Sequence, residues 1–316
     1  MRLYTPPNLA DATPPTTPVS SEAAATTSVG PSNLRLRVIW GLIGAAMLLG
    51  SVWFSPWTFG LFFAAVQAVM LWEFYRMMRA GGYAPATWIG MVASLLLFGL
   101  VYWFRFHGAY PETDYFLYAI EATSFFLFAG LVVILALREI ILWPKYEQPF
   151  INISITLVGL FYVSLPMAVL NISAFTSHSK NGNYDHRRIF ALLFLIWASD
   201  IGAYAAGKTF GKHKMAPQIS PGKTWEGWAG GFVLTLVVGW ALGFMLPDMP
   251  LTHRLVAAGV VAVFAPLGDL AESMLKRSVG VKDSGSIMPG HGGLLDRFDA
   301  FLLVLPVLAL LQLLAG

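Results

Sequence analysis

Between residues 36 and 315 the sequence runs repeatedly for about 20 residues with hardly a charge, the length an α-helix needs to cross the hydrocarbon core of a bilayer. Nine such runs fall near 36–54, 57–78, 87–104, 116–141, 150–172, 188–208, 226–246, 254–275 and 297–315. A chain in lipid must satisfy its backbone N–H and C=O groups within each segment, so these runs predict an all-α, polytopic integral membrane protein of about nine transmembrane helices. Composition closes the alternative of a soluble globule. Hydrophobic residues make up 57% of the 316 and charged ones 12%, too few to clothe a domain of this size in water. The split between the first two runs rests on Ser55-Pro56, which suggests a tight turn but also suits one kinked helix.

Residues 1–33 are rich in Pro, Thr, Ser and Ala and hold no apolar core of signal-peptide length, so they read as a disordered tail ahead of a transmembrane domain at 34–316. With the N-terminus in the cytoplasm, fifteen of the 20 Lys and Arg residues fall on the inner side and five on the outer. This positive-inside bias predicts N-terminus in, C-terminus out, and turns both polar regions described next to the cytoplasm. In a bacterium the membrane is the inner, or plasma, membrane. The net charge of +3 is small and says little by itself; no nucleic-acid partner is expected, and the absence of cysteine removes disulfides, thiol nucleophiles and thiolate metal sites. Glu73 beside Arg76 reads as an interfacial charge pair, with a structural role inside the bundle left open, and the outer loop with His178, Asp185 and His186 reads as solvated, its spacing matching no ligand motif.

The first polar region is SDIGAYAAGKTFGKHKMAPQISPGKTWEG at 199–227. Asp200 stands near mid-span among Ile196, Trp197 and Ile201, where an ionised carboxylate is costly without a partner. It reads either as a helix–helix hydrogen-bonding group or as an acid of a site. Lys208, Lys212, Lys214 and Lys223 follow, spaced by glycines, as suits a triphosphate or an anionic lipid headgroup. Ser220-Pro221-Gly222-Lys223-Thr224 reads as a compact turn with two hydroxyls and an ammonium; it lacks the GxxxxGK[ST] spacing of a Walker loop.

The second region, PLGDLAESMLKRSVGVKDSGSIMPGHGGLLDRFD at 266–299, carries Asp269, Glu272, Lys276, Arg277, Lys282, Asp283, His291, Asp296, Arg297 and Asp299 in an otherwise apolar chain. On a helix, Asp269 shares a face with Ser273, and Asp296 with Asp299. Between them lie glycines at 285, 290, 292 and 293, whose amides can approach a ligand closely. Carboxylates, cations and an amide-rich loop are what a metal–polyphosphate site requires. Pro266 and Gly268 are expected to interrupt the eighth span just before Asp269, a break tolerable at membrane depth only where it lines a cavity or packs in protein.

Ser273, Lys276-Arg277, Lys282-Asp283, Gly285, Pro289, His291-Gly292-Gly293, Asp296-Arg297 and Asp299 match in spacing the signature of the CDP-diacylglycerol synthases (phosphatidate cytidylyltransferases), which this sequence therefore resembles. Met288 stands where that family usually has Leu, Ile or Phe, a change conservative in bulk. The family's second hallmark usually reads SPKKT; here Gly222 replaces the first basic residue, and Thr224-Trp225-Glu226-Gly227 continue the match. The resemblance is specific over the stretch from Asp200 to Asp299 and general in the apolar remainder.

The resemblance implies transfer of CMP from CTP to phosphatidate, giving CDP-diacylglycerol and pyrophosphate, with CTP and the membrane lipid as partners; a homodimer is one admissible assembly. It also implies Mg2+ held by Asp269 and Asp296, with room for a second cation and with Asp200, Asp283 and Asp299 as further candidate acids. Lys223, Lys276, Arg277, Lys282 and Arg297 would bind phosphates, assisted by Ser220, Thr224 and the amides of Gly292 and Gly293. His291 would donate to the leaving pyrophosphate or hold the loop. Two other readings stand beside this one. CTP could activate another phosphorylated lipid, such as an ether lipid; or the acids could form the path of an ion-coupled transporter. A transporter predicts polar residues strung across both leaflets, whereas these cluster on one side.

Overall fold

A computed structural model describes residues 32–106, 114–175, 184–287 and 292–314. The chain forms α1 (Ser32–Phe54), α2 (Pro56–Ala80), α3 (Thr87–Phe106), α4 (Asp114–Leu142), α5 (Pro149–Gly159), a π-helical turn (Leu160–Ser164), α6 (Leu165–Ala174) and α7 (His186–Phe210). It continues through β1 (Lys214–Ala216), β2 (Ser220–Thr224), α8 (Trp225–Ala241), a 3-10 turn (Leu242–Phe244), α9 (Leu251–Ser278) and α10 (Leu295–Leu314). Within the described residues each apolar run falls largely on one of these helices, except that α5 and α6 share the fifth and the seventh runs on past α8 through the 3-10 turn. Among the described residues, six helical stretches are long and apolar enough to cross a bilayer: Pro56–Ala80, Thr87–Phe106, Pro149–Ala174, His186–Phe210, Trp225–Phe244 and Leu251–Ser278.

The outside of the bundle is as apolar as its inside. Phe54, Trp88, Ile141, Phe150 and Phe244 are all exposed, as side chains are when the solvent is lipid. The core is built around α2, which buries Phe59, Phe63, Met70, Leu71, Phe74 and Tyr75 against α1, α3, α5, the π-helical turn and α10.

The break at Ser55 is a true helix boundary. Ser55 is extended and takes the Thr58 amide on its hydroxyl, Thr58 answers on the Ser55 amide, and Pro56 opens α2 where a missing N–H costs nothing. The π-helical turn has its cause in Pro166: a proline donates no hydrogen bond and presses on the carbonyl four residues back, here Tyr162, so the ladder widens. Ser164 at its end donates to Ser94, which also receives Gln67, tying α2, α3 and the turn together in the apolar core.

Two expectations are corrected. Ser220–Thr224 is not a compact turn but a strand, paired antiparallel with β1 so that Ala216 faces Ser220 and Lys214 faces Thr224. The fold is therefore helical with one short hairpin rather than all-α. Nor is the eighth span interrupted: α9 runs unbroken from Leu251 to Ser278 with Pro266 inside it. Gly268 serves packing instead, because a Cβ there would stand 2.6 Å from the Asp299 carbonyl oxygen and 3.0 Å from the Ala300 Cα. Only glycine lets α10 lie this close to α9.

Candidate active site

The close approach at Gly268 sets Asp269 of α9 beside Asp299 of α10. One helical turn further along α9, Glu272 joins them, and ligand oxygens of Asp269, Glu272 and Asp299 all lie within 4.8 Å of one another. Asp269 is held by two groups: Ser273 donates to its Oδ1 at 3.2 Å, and the Lys223 ammonium stands 2.7 Å from its Oδ2. Lys223 also donates to the Pro266 carbonyl at 2.9 Å, which pins the hairpin to α9. Asp200, on α7, lies within reach of the charges of both Asp269 and Lys223, and Asp299 within reach of all three.

Lys276 bridges this group to the next. Its Nζ lies 2.6 Å from Glu272 and 2.7 Å from Asp296. The remaining Asp296 oxygen accepts from the Gly293 amide at 2.8 Å, the Ser284 amide at 3.1 Å and the Ser284 hydroxyl at 3.0 Å. Asp269 and Asp296, the acids expected to pair, thus sit in two adjoining halves of one site, separated by Glu272 and Lys276. Glu272, which the motif reading gave no role, is the acid next to Asp269 and is almost wholly buried. Its place three residues after Asp269 and four before Lys276, on one helical face, was the available signal.

The other expected residues divide. Thr224 is buried and accepts the Gly227 amide on its hydroxyl oxygen, capping α8 at the hairpin–helix junction. The Gly293 amide is likewise occupied by Asp296, while Gly292 takes a positive φ of 80° that turns the chain into α10. Ser220 opens β2, and Gly222, where a Cβ would meet nothing within 4 Å, faces open space. Arg277, Lys282, Asp283 and Arg297 are exposed around the loop joining α9 to α10. His291 and Gly290 lie outside the described residues. Of the two readings of Glu73, the structure has the one inside the bundle: the residue is fully buried and accepts from the Leu295 amide at 2.8 Å.

Hard oxygen ligands suit a divalent cation such as Mg2+. The donor set fits: three carboxylates converge, and Glu272 Oε1 is buried with no hydrogen-bond partner. A protein that keeps such a cluster of acids and ammonium groups where lipid-length helices meet is an integral membrane protein with a polar site suited to phosphorylated ligands.

Residues 35–314 match the cytidylyltransferase family. The chain is 34% identical over 283 residues to the phosphatidate cytidylyltransferase of Bacillus subtilis, covering 87% of this chain and 96% of that protein. To the phosphatidate cytidylyltransferase of Haemophilus influenzae it is 31% identical over 292 residues, covering 86% and 96%. The phosphatidate cytidylyltransferase of Staphylococcus aureus strain COL shares 48% over 127 residues, 40% of this chain and 48% of that one. The chain belongs to the cytidylyltransferase family and is a nucleotidyltransferase of the membrane.

Proposed function

We propose that this protein transfers CMP from CTP to phosphatidate, releasing CDP-diacylglycerol and pyrophosphate. An oxygen of the phosphatidate phosphate attacks the α-phosphorus of CTP; the bond from that phosphorus to the bridging α–β oxygen breaks, and pyrophosphate leaves with the electron pair. The nucleophile is already an anion, so no serine or cysteine is needed and the main task is bringing two anions together. The observation that carries the reading is the convergence of Asp269, Glu272 and Asp299 with Lys223 and Lys276 between and beside them.

Asp269, Glu272 and Asp299 would hold Mg2+, with Asp296 adjoining through Lys276, as the donor chemistry favours. When bound, the ion supplies stabilisation of the charge that accumulates on the phosphate oxygens. Lys223 and Lys276 offset the negative charge of the acids and of the incoming phosphates. Arg277, Lys282 and Arg297, on the rim, gather the triphosphate, and the Gly293–Ser284–Asp296 contacts fix the loop against which it lies. Asp200 closes the α7 side. Nine spans with this rim in the cytoplasm, where CTP is, belong to the same proposal.

Purified protein in detergent, given radiolabelled CTP and phosphatidate, should pass label into the lipid phase and release pyrophosphate in equal amount. Omitting phosphatidate, or chelating divalent cations, should abolish both. Pyrophosphate without labelled lipid, or no reaction with phosphatidate, would overturn the proposal.

A further inference from the structure

Glu73 lies on α2, far in sequence from either polar region, and is fully buried. Its Oε2 accepts from the Leu295 amide at 2.8 Å and lies 3.3 Å from the Ser284 hydroxyl oxygen. Leu295 is the first residue of α10, where a helix leaves amides without internal partners, so the carboxylate caps the helix that carries Asp296 and Asp299. Ser284 passes the contact on: the same hydroxyl lies 3.0 Å from Asp296. Two glycines keep the space clear, since a Cβ at Gly285 would collide with Glu73 Oε1 and one at Gly293 with Glu73 Oε2 and the Ser284 hydroxyl. Glu73 therefore sits at the back of the loop and of α10, touching the groups that hold Asp296 rather than Asp296 itself.

We infer that Glu73 is a positioning residue for the cation- and phosphate-binding face of the site, acting through Ser284 on Asp296 and through the start of α10 on Asp299. The inference rests on the proposed cytidylyl transfer. A buried acid that served only to hold the bundle together would be tied to core groups. This one is tied to the loop between α9 and α10 and to the first turn of α10, both of which face the site. Asp299, one of the three acids that would hold the cation, lies on α10 one turn beyond Leu295, and removing a group that orients a ligand residue from behind changes cation affinity on the order of 10- to 100-fold.

The test uses full-length protein in detergent, with Mn2+ as the probe. Binding is followed by loss of the free-ion signal in electron paramagnetic resonance, and initial rates are measured against CTP and against Mn2+. Glu73→Ala should weaken Mn2+ binding at least ~10-fold and lower kcat per folded molecule. Glu73→Gln, which keeps an acceptor for the Leu295 amide, should restore Mn2+ binding to within about threefold, well inside that range. Ser284→Ala, which cuts the relay and leaves the cap, should fall between. Should Glu73→Ala fail to fold, the Gln and Ser284→Ala variants still decide the matter. Wild-type Mn2+ affinity in the folded Ala variant, or in Ser284→Ala where Ala cannot be obtained, would overturn the inference, because a purely structural role predicts lower melting temperature and yield with unchanged affinity. A Gln variant as weak in Mn2+ binding as Ala would overturn it too. Wild-type protein that binds Mn2+ but forms no CDP-diacylglycerol would instead sink the proposed reaction and leave the positioning role to be judged on binding alone.

Discussion

Lys223 Nζ lies 2.7 Å from Asp269 Oδ2, so that a hairpin between two helices and the second half of α9 meet in one ion pair. The pair joins the two polar regions of the sequence into a single site. It also sets a cation beside the acids on which a polyphosphate would settle.

Lys223→Ala should accordingly raise the KM for CTP by about 10-fold, the scale of one charge-assisted hydrogen bond. The drop in kcat should be smaller, since the contact is expected in ground and transition states alike. Initial rates against CTP at saturating phosphatidate decide it; an unchanged KM with a collapsed kcat would place Lys223 on the transition state instead.

Asp269→Asn and Asp296→Asn should each cut turnover by at least ~100-fold, roughly what loss of a ~3 kcal/mol transition-state contact gives. Glu272→Gln should do the same, since its carboxylate lies between them. Combining Asp269→Asn with Asp296→Asn should cost far less than the product of the single losses, because both damage one unit. Strictly multiplicative rates would mean the two acids serve separate steps.

Gly268→Ala tests how the site is assembled. The added methyl would press on the Asp299 carbonyl and the Ala300 Cα, forcing α10 off α9. The expected cost is about 1–3 kcal/mol, read as a lower melting temperature in detergent. Turnover of the surviving folded protein should also fall, since Asp299 would move away from Asp269. Unchanged stability and rate would show that the two helices can part without harm.

Asp185, just before α7, gives a pH-dependent contribution to stability. Burial pushes its carboxyl up, but hydrogen bonds from the Arg187 side chain and amide, and the charges of Arg187 and Arg188, outweigh this and hold it below the ordinary value of 3.8. A depressed carboxylate stabilises the fold fully above its unfolded value, and the contribution is lost as pH falls through the lower, folded one. Asp185→Ala should therefore cost about 1 kcal/mol at neutral pH for the lost cap. The gap to wild type should stay constant down to about pH 5 and narrow below 3.8. A gap that closes between pH 7 and 5 would contradict this.

Orientation is tested with reporters that work on one side of the membrane only. One fused after Met78 should be active in the cytoplasm, and one after Gly316 outside it. A cytoplasmic reading after Gly316 would mean that the span count is wrong by one, with α1, whose described apolar stretch Val38–Phe54 is short, the first place to look.

Much of the helical framework was legible because lipid leaves a chain little choice: each segment must be apolar and must satisfy its own backbone, so the runs in the sequence coincide with the helices. The hairpin was not. Ser220–Thr224 has neither alternation nor β-branched residues before Thr224, and it is a strand only because Lys214–Ala216 lies alongside. Of the site, Asp269, Lys276 and Asp296 stood out because charge is conspicuous among apolar residues. Glu272 stood among them, but its convergence with Asp299 depends on how closely α9 and α10 pack, which spacing within one helix does not convey. For Glu73 the sequence does not decide between an interfacial pair and a place inside the bundle, because its partners, Ser284 and Leu295, are 211 and 222 residues away, and local pattern says nothing at that range.

That distance has a consequence for biogenesis. Chains are synthesised from the N-terminus, so α2 is in place long before the ribosome reaches Ser284 and Leu295. Until it does, Glu73 has neither the hydroxyl nor the helix-end amide that later receives it, and an ionisable group without partners in a bilayer is costly. The nascent bundle therefore carries an unsatisfied carboxylate that the arrival of α10 relieves. Docking of the last described helix is thereby favoured, and a chain halted before Ser284 would have no working site at all.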